Sequence, residues 1–316
     1  MKKLIVFAIL VVLMVGALAG LATAQDSGHR YVFVTHDLGA GIFGPVRTGM
    51  EAACAQVGAV CEFIGPQTYD PEEQVALIEA ANATNPAGIA TTRAVPGVYD
   101  DVLQQAVDAG ILVVTFNTND PTADATLPLP FVGQNFTNYG VEWARATMAA
   151  MPDGGKIAIS NCCLGHYALE ERIRSFRETI AAEGGDRYEV MADVLNITTD
   201  ETVAYGTIEA FYAANPDVTM ITGADYYTYV TAQFINNSGL QGQLLTGGSD
   251  MAPAMIDGLQ AGYVSFALGQ NPYLQGYYPV LMMEMSANLG IRPITIDTGT
   301  DVVTPGNVND YNPEYR

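Results

Sequence analysis

From Tyr31 almost to its end the chain repeats one rhythm, a short β-branched run followed by a longer amphipathic stretch, and few folds accommodate it. YVFVT (31–35), CEFIG (61–65), GIATT (88–92) and ILVVTFN (111–117) read as buried parallel strands. Between them the spacing predicts helices over 43–57, 71–83 and 98–109. In the second, Val75, Ile78 and Glu79 carry the three- and four-residue spacing, with Ala76 and Ala80 filling the face. Asp70 before Pro71 fits a cap and a first helical position. The segment PTADATLPLP (121–130) interrupts with three prolines and no periodicity, as a loop leading into a crossing between domains would. The rhythm then resumes with strands at KIAIS (156–160), YEVMADV (188–194), VTMITG (218–223), QLLTGG (243–248) and VSFALGQ (264–270). Helices are expected near 137–150, 166–183, 201–214, 226–238, 252–260 and 273–289, followed by an irregular tail.

Two such alternating halves give an α/β protein of two doubly wound parallel-sheet lobes. The opening MKKLIVFAILVVLMVGALAGLATAQ places two lysines before an apolar run and an Ala22-Thr23-Ala24 exit. This reads as a secretory signal peptide over residues 1–24, cleaved after Ala24. The mature chain then holds 11 cations against 34 carboxylates, a net charge of −23. Such a surface repels phosphate backbones, which sets nucleic acid aside as a partner. A composition that is 49% hydrophobic still supplies large cores. About 290 mature residues exceed what one core usually serves, so two domains are expected.

Ligands of open α/β sheets sit beyond the carboxyl ends of the strands. If two lobes face each other, both sets of ends line one cleft, built from THDLGAGIF, TTRAVPG, FNTND, GQNF, SNCCLGH, GADYY, GGSDM and GQNPY. These loops carry His36, Asp37, Arg93, Asn117, Asn161, Asp225, Asp250 and Gln270, and Glu170 and Arg172 follow closely. Such groups bind adjacent hydroxyls in pairs. Phe43, Tyr226 and Tyr273 are candidate platforms for the C–H face of a sugar. Each has a structural alternative: Asp250 and Asp225 could cap the helices that follow, and Phe43 could pack in the core. Glu170 and Arg172, two apart on a helix, cannot face the same way.

The order and content of GQNPYLQGYYPV (269–280), NPAGIATT, AGILVVTFNT, ANPDVTMITG and GGSDM resemble the periplasmic sugar-binding proteins of ABC transporters, with the ribose-binding type of fold. The resemblance runs from about Arg30 to Val303. It implies the type I periplasmic binding protein fold, a first lobe of 30–133 plus 271–299 and a second of 134–270 plus 300–316, joined by a hinge. It also implies an exported monomer without a cofactor that closes on a sugar or polyol and delivers it to a membrane permease. A sensor that hands its closed form to a membrane receptor is the alternative, and a sugar-modifying enzyme a distant third. Asp250 and Gln270 fall where the family places direct sugar contacts. Thr118 after Asn117, and Glu170 where ribose binders place an arginine, depart from the ribose pattern.

No G-x-S-x-G elbow, H-E-x-x-H or P-loop is present. Cys162, Cys163 and His166 resemble a metal cluster, but zinc pairs need intervening residues and a second pair. In an oxidising compartment Cys54 and Cys61 are close enough in sequence to pair across a turn, which leaves Cys162 for Cys163. A bond between neighbours would form a rigid apolar plate suited to a sugar C–H face; two buried thiols are the alternative.

Overall fold

The computed structural model describes residues 28–122 and 126–312, and the signal-peptide reading falls outside them. Strands and helices are numbered in chain order. The first sheet joins β1 (Arg30–Val34), β2 (Val60–Ile64), β3 (Gly88–Thr91), β4 (Leu112–Phe116), β5 (Phe131–Gly133) and β11 (Ile296–Asp297). Its order is β11-β5-β4-β3-β1-β2, with every pair parallel. The second joins β6 (Gly155–Asn161), β7 (Tyr188–Asn196), β8 (Met220–Gly223), β9 (Leu245–Ser249), β10 (Phe266–Gly269) and β12 (Asp301–Val303). Its order is β12-β10-β9-β8-β6-β7, parallel except for β12 against β10.

Successive strand residues point to opposite faces, so each sheet needs cover on both. Tyr31 and Phe33 face α1 (Phe43–Val57) and α9 (Pro272–Leu289), while Val32 and Val34 face α2 (Pro71–Ala83) and α3 (Asp100–Asp108). In the second lobe Ile157 and Ile159 face α4 (Phe136–Ala150) and α5 (Tyr167–Thr179). Ala158 and Ile221 face α6 (Glu201–Ala214), α7 (Tyr229–Ser238) and α8 (Pro253–Ala261). Four cores result, two per lobe. The closest helix pair, α1 on α9, depends on two glycines: a Cβ at Gly49 would lie 2.0 Å from the Tyr273 carbonyl oxygen, and one at Gly276 would lie 1.8 Å from that of Val46.

Asp70 caps α2 as expected, accepting from the backbone N–H groups of Glu72 and Glu73 at 3.0 Å. The buried face of that helix is Gln74, Ile78 and Ala81, whereas Ala76, Glu79 and Ala80 are exposed, which corrects the expected phase by one position. Three strands also escaped the sequence reading. β5, β11 and β12 are two or three residues long, too short for a pattern.

The chain crosses between lobes after β5, after β10 and after β11. Thr298 ties the crossings together: its N–H donates to the Gly133 carbonyl at 2.9 Å and its hydroxyl to that of Gln270 at 2.8 Å. The Asn271 amide donates to the Thr298 carbonyl at 2.8 Å. Disulfides join Cys54 to Cys61 across the turn between α1 and β2, with Cα atoms 6.3 Å apart, and Cys162 to its neighbour Cys163.

Candidate functional site

The carboxyl ends of both sheets face each other around a cavity of about 60 Å³. The first lobe contributes His36 and Asp37 after β1, Phe43 at the start of α1, Tyr69 after β2 and Asn117 after β4. The second contributes Cys162 and Cys163 after β6, His166, Leu169 and Arg172 around the start of α5, Asp225, Tyr226 and Tyr227 after β8, and Asp250 after β9. Gln270 enters from the second crossing.

One hydrogen-bonded chain links hinge, first lobe and second lobe. The Gln270 amide donates to Asp250 Oδ1 at 2.8 Å, and its oxygen accepts from Asn117 Nδ2 at 3.2 Å. Gln275, on α9, holds Gln270 by donating to its backbone carbonyl at 2.9 Å. Asn117 sits at φ +60°, a left-handed conformation that asparagine tolerates better than most residues. Asp250 does not cap α8, whose first turn has no side-chain cap, so its carboxylate belongs to the cavity.

Arg172 is the cation of this site. It donates to the Ala224 carbonyl at 2.8 Å and lies 4.4 Å from the centre of the Tyr139 ring, a cation–π contact. Burial raises the pKa of Asp250, while Arg172 and the Gln270 amide partly oppose the rise. Asp225 is pushed up to about 6 by burial, against hydrogen bonds from the Cys162 and Tyr227 N–H groups at 2.7 and 2.8 Å. Asp225 therefore both caps the turn after β8 and lines the cavity. Buried carboxylates with fixed orientation and a nearby guanidinium suit recognition of neutral hydroxyl groups, which can donate to one and accept from the other.

Beside Tyr226 against Gly41, two further contacts bring the lobes together here. The Tyr227 hydroxyl donates to Asp37 Oδ2 at 3.4 Å, while Asp37 Oδ1 accepts from the Gly39 and Ala40 N–H groups. Burial raises the pKa of Asp37. The other contact is aromatic: His36 packs edge-on against Phe43, Tyr69 and His166, with centroids 5.2, 5.6 and 5.2 Å away. Burial lowers His36 to about 3 and His166 well below its ordinary value, so both rings are neutral. Tyr226 closes one side, its hydroxyl resting against Gly41.

Four expected contacts lie elsewhere. Arg93 is fully buried beneath the loop after β3, paired with Asp100 at 2.9 Å and donating to Asn119 at 3.2 Å, because the following helix brings an acid to it. Asn161 points back into its own turn, accepting from the Cys163 N–H at 2.9 Å. Glu170 is exposed and accepts from Gly165 N at 3.1 Å and the Asn161 amide at 3.4 Å, so it braces the turn while Arg172 faces inward. Tyr273 stacks on Tyr277, 5.7 Å away, along α9. Phe43 does double service, lining the cavity and packing in the first-lobe core. Tyr69, Leu169 and Tyr227 line the cavity without having been singled out. Tyr69 lies in the loop between β2 and α2, just before the cap Asp70, and like the other candidates follows the carboxyl end of a strand. Among the described residues no group of three or more His, Cys, Asp or Glu side chains is arranged to hold a metal ion.

A family model described as a periplasmic binding protein domain matches residues 31–290. The xylose/arabinose-binding protein XylF of Sulfolobus acidocaldarius is 27% identical over 297 residues, covering 89% of this chain and 72% of that protein. The crystal structure of an ABC transporter solute-binding protein from Agrobacterium vitis, bound with α-D-tagatopyranose, is 26% identical with a TM-score of 0.81, covering 89% of this chain and 96% of that one. A solute-binding protein from Burkholderia graminis in complex with D-arabinose shares the fold at 23% identity and a TM-score of 0.83, covering 91% and 99%.

Proposed function

Because the chain belongs to the periplasmic binding protein family, we propose that it captures a single neutral sugar or polyol between its lobes and delivers it to an ABC importer. The observation that carries this reading is the chain Asp250–Gln270–Asn117, which joins both lobes and the hinge at one cavity. A hydroxylated ligand exchanging hydrogen bonds with that chain stabilises the closed arrangement over the open one, since binding can shift an equilibrium only by its differential affinity. The closed form is then what a permease recognises.

Asp250, Gln270, Asn117, Arg172 and Asp225 are assigned to hydroxyls. Phe43, Tyr69 and Tyr226 form the ring-facing walls, with His36, Asp37, Cys162 and Cys163 completing the enclosure. Arg93, Asn161 and Glu170 support the loops that carry these groups. The working location is outside the cytoplasm. A thermal-shift panel of pentoses, hexoses, inositols and alditols tests the reading, because a ligand at 100 times its Kd stabilises the folded state by about 2.7 kcal/mol. At least one member is expected to raise the Tm and to be recovered unchanged. A panel without any shift overturns the polyol reading, and a consumed ligand overturns the purely binding role.

A further inference from the structure

We propose that the Cys162–Cys163 disulfide is a specificity-determining wall of the sugar site, and that sugar binding therefore depends on the oxidation state of this pair. The inference rests on the sugar-binding reading above. Neighbouring cysteines joined to each other, Cα atoms 3.8 Å apart, close a small ring at the end of β6. Both line the interlobe cavity, Cys163 buried and Cys162 half-buried. The linked sulfurs have no S–H to donate, so on the second-lobe side they present a polarizable surface without a donor, beside the polar Asp225 and Arg172. A ring whose hydroxyls engage Asp250 and Gln270 can rest a C–H face there. The selected ligand class is a sugar or polyol with one face poor in hydroxyl groups.

The same turn controls a carboxylate. The Cys162 N–H donates to Asp225 Oδ2 at 2.7 Å, the Cys163 N–H to Asn161 Oδ1 at 2.9 Å, and the Cys163 carbonyl accepts from His166 N at 3.1 Å. The disulfide thus holds, through one short loop, the orientation of Asp225 and the position of His166 at the start of α5. Reduction by a dithiol proceeds by thiolate attack on one sulfur, giving a mixed disulfide and releasing the other as a thiolate. The second thiol of the reductant then displaces the protein, leaving two cysteine thiols and one cyclic oxidised reductant. Opening the ring frees the 162–163 peptide to rotate, which releases the Cys163 N–H from Asn161 and loosens the turn that aims the preceding Cys162 N–H at Asp225. It also replaces the plate with two S–H donors. The second disulfide, Cys54–Cys61, is remote from the cavity and provides an internal control.

The test is a calorimetric Kd for the best sugar of the panel, with and without dithiothreitol, in the wild type, C54S/C61S and C162S/C163S, with thiols mapped by alkylation and mass spectrometry. Reduction is expected to weaken binding about tenfold or more in the wild type and in C54S/C61S alike, the loss of one hydrogen bond to a charged group being sufficient for that. C162S/C163S is expected to bind weakly whether or not reductant is present. Bound sugar should slow alkylation at 162 and 163 but not at 54 and 61. If C54S/C61S fails to fold, partial reduction of the wild type with the same mapping assigns the effect to one pair. Unchanged affinity in protein whose Cys162 and Cys163 are shown to be reduced overturns this inference alone, as does finding free thiols at both positions in untreated protein. No sugar binding in any redox state overturns the underlying reading of the site as well.

Discussion

His36 of the first lobe and His166 of the second meet edge to face across the cleft, ring centroids 5.2 Å apart and planes at 72°. Among the described residues neither ring has a carboxylate hydrogen-bond partner: His36 Nδ1 meets the Thr92 hydroxyl at 3.0 Å, and His166 Nδ1 is buried without a partner. Closing the lobes therefore encloses two neutral imidazoles, with Arg172 adding to the cost of charging His166.

The pH dependence of binding follows from that contact. Both histidines have depressed pKa values when closed, His36 at about 3, whereas a solvated imidazole titrates near 6.5. Closure is fully favoured by this pair above about pH 6.5 and is progressively opposed as pH falls below it. Asp225, raised to about 6, acts in the opposite sense: its charged form opposes closure at higher pH, and that opposition fades as the carboxyl protonates. Asp37 and Asp250, also raised by burial, add to that offset. The variant His166→Asn isolates one histidine. The ratio of wild-type to H166N Kd is expected to rise about tenfold per pH unit below 6.5, the limit for one linked proton. Calorimetry from pH 5 to 8 measures it, and a flat ratio would contradict the account.

Asp250→Ala removes the acceptor of Gln270 and a hydroxyl partner together. Affinity is expected to fall by about 10- to 100-fold, the range of a hydrogen bond to a charged group, with little change in the Tm of the ligand-free protein. Loss of the fold instead would assign Asp250 to structure.

Removing the cation should cost stability. Arg172→Met leaves Asp225 and Asp250 without their shared guanidinium and the Ala224 carbonyl with the Ser249 hydroxyl, at 3.1 Å, as its remaining donor. A loss of about 3 kcal/mol is expected at pH 7.5. Because both acids are raised, lowering the pH protonates and neutralises them, so the deficit should shrink below about pH 6. Urea unfolding at the two pH values measures this.

Gly41 gives a steric test of closure. A Cβ there would stand 2.1 Å from the Tyr226 hydroxyl oxygen. Gly41→Val is expected to hinder closure and weaken sugar binding, and adding Tyr226→Ala should recover part of the loss. A double-mutant cycle with a coupling of at least about 1 kcal/mol supports the contact; additive effects would contradict it.

The rhythm of strands and helices was legible because Val32, Val34, Ile89 and their neighbours must be apolar on both faces of a parallel sheet. The crossings were partly hidden, since β11 and β12 are defined by pairing partners far along the chain rather than by their own pattern. The cavity was legible as a set of strand ends, and Asp250, Gln270, Asn117 and Arg172 do converge there. What one chain could not reveal was rotation. Arg93 and Asn117 both follow strands of the first sheet, yet Asp100 draws one into the protein while Gln270 meets the other at the cleft. Helical phase similarly turned Glu170 outward and Arg172 inward.

The most direct measurement is a calorimetric titration of the wild type and of Asp250→Ala with the sugar that gives the largest thermal shift, followed by recovery of that sugar for chemical analysis. The expected result is a single site per chain, an affinity lowered at least about tenfold in the variant, and the sugar returned unaltered. Equal affinity in the two proteins, or a stoichiometry other than one, would contradict capture of a single sugar between the lobes.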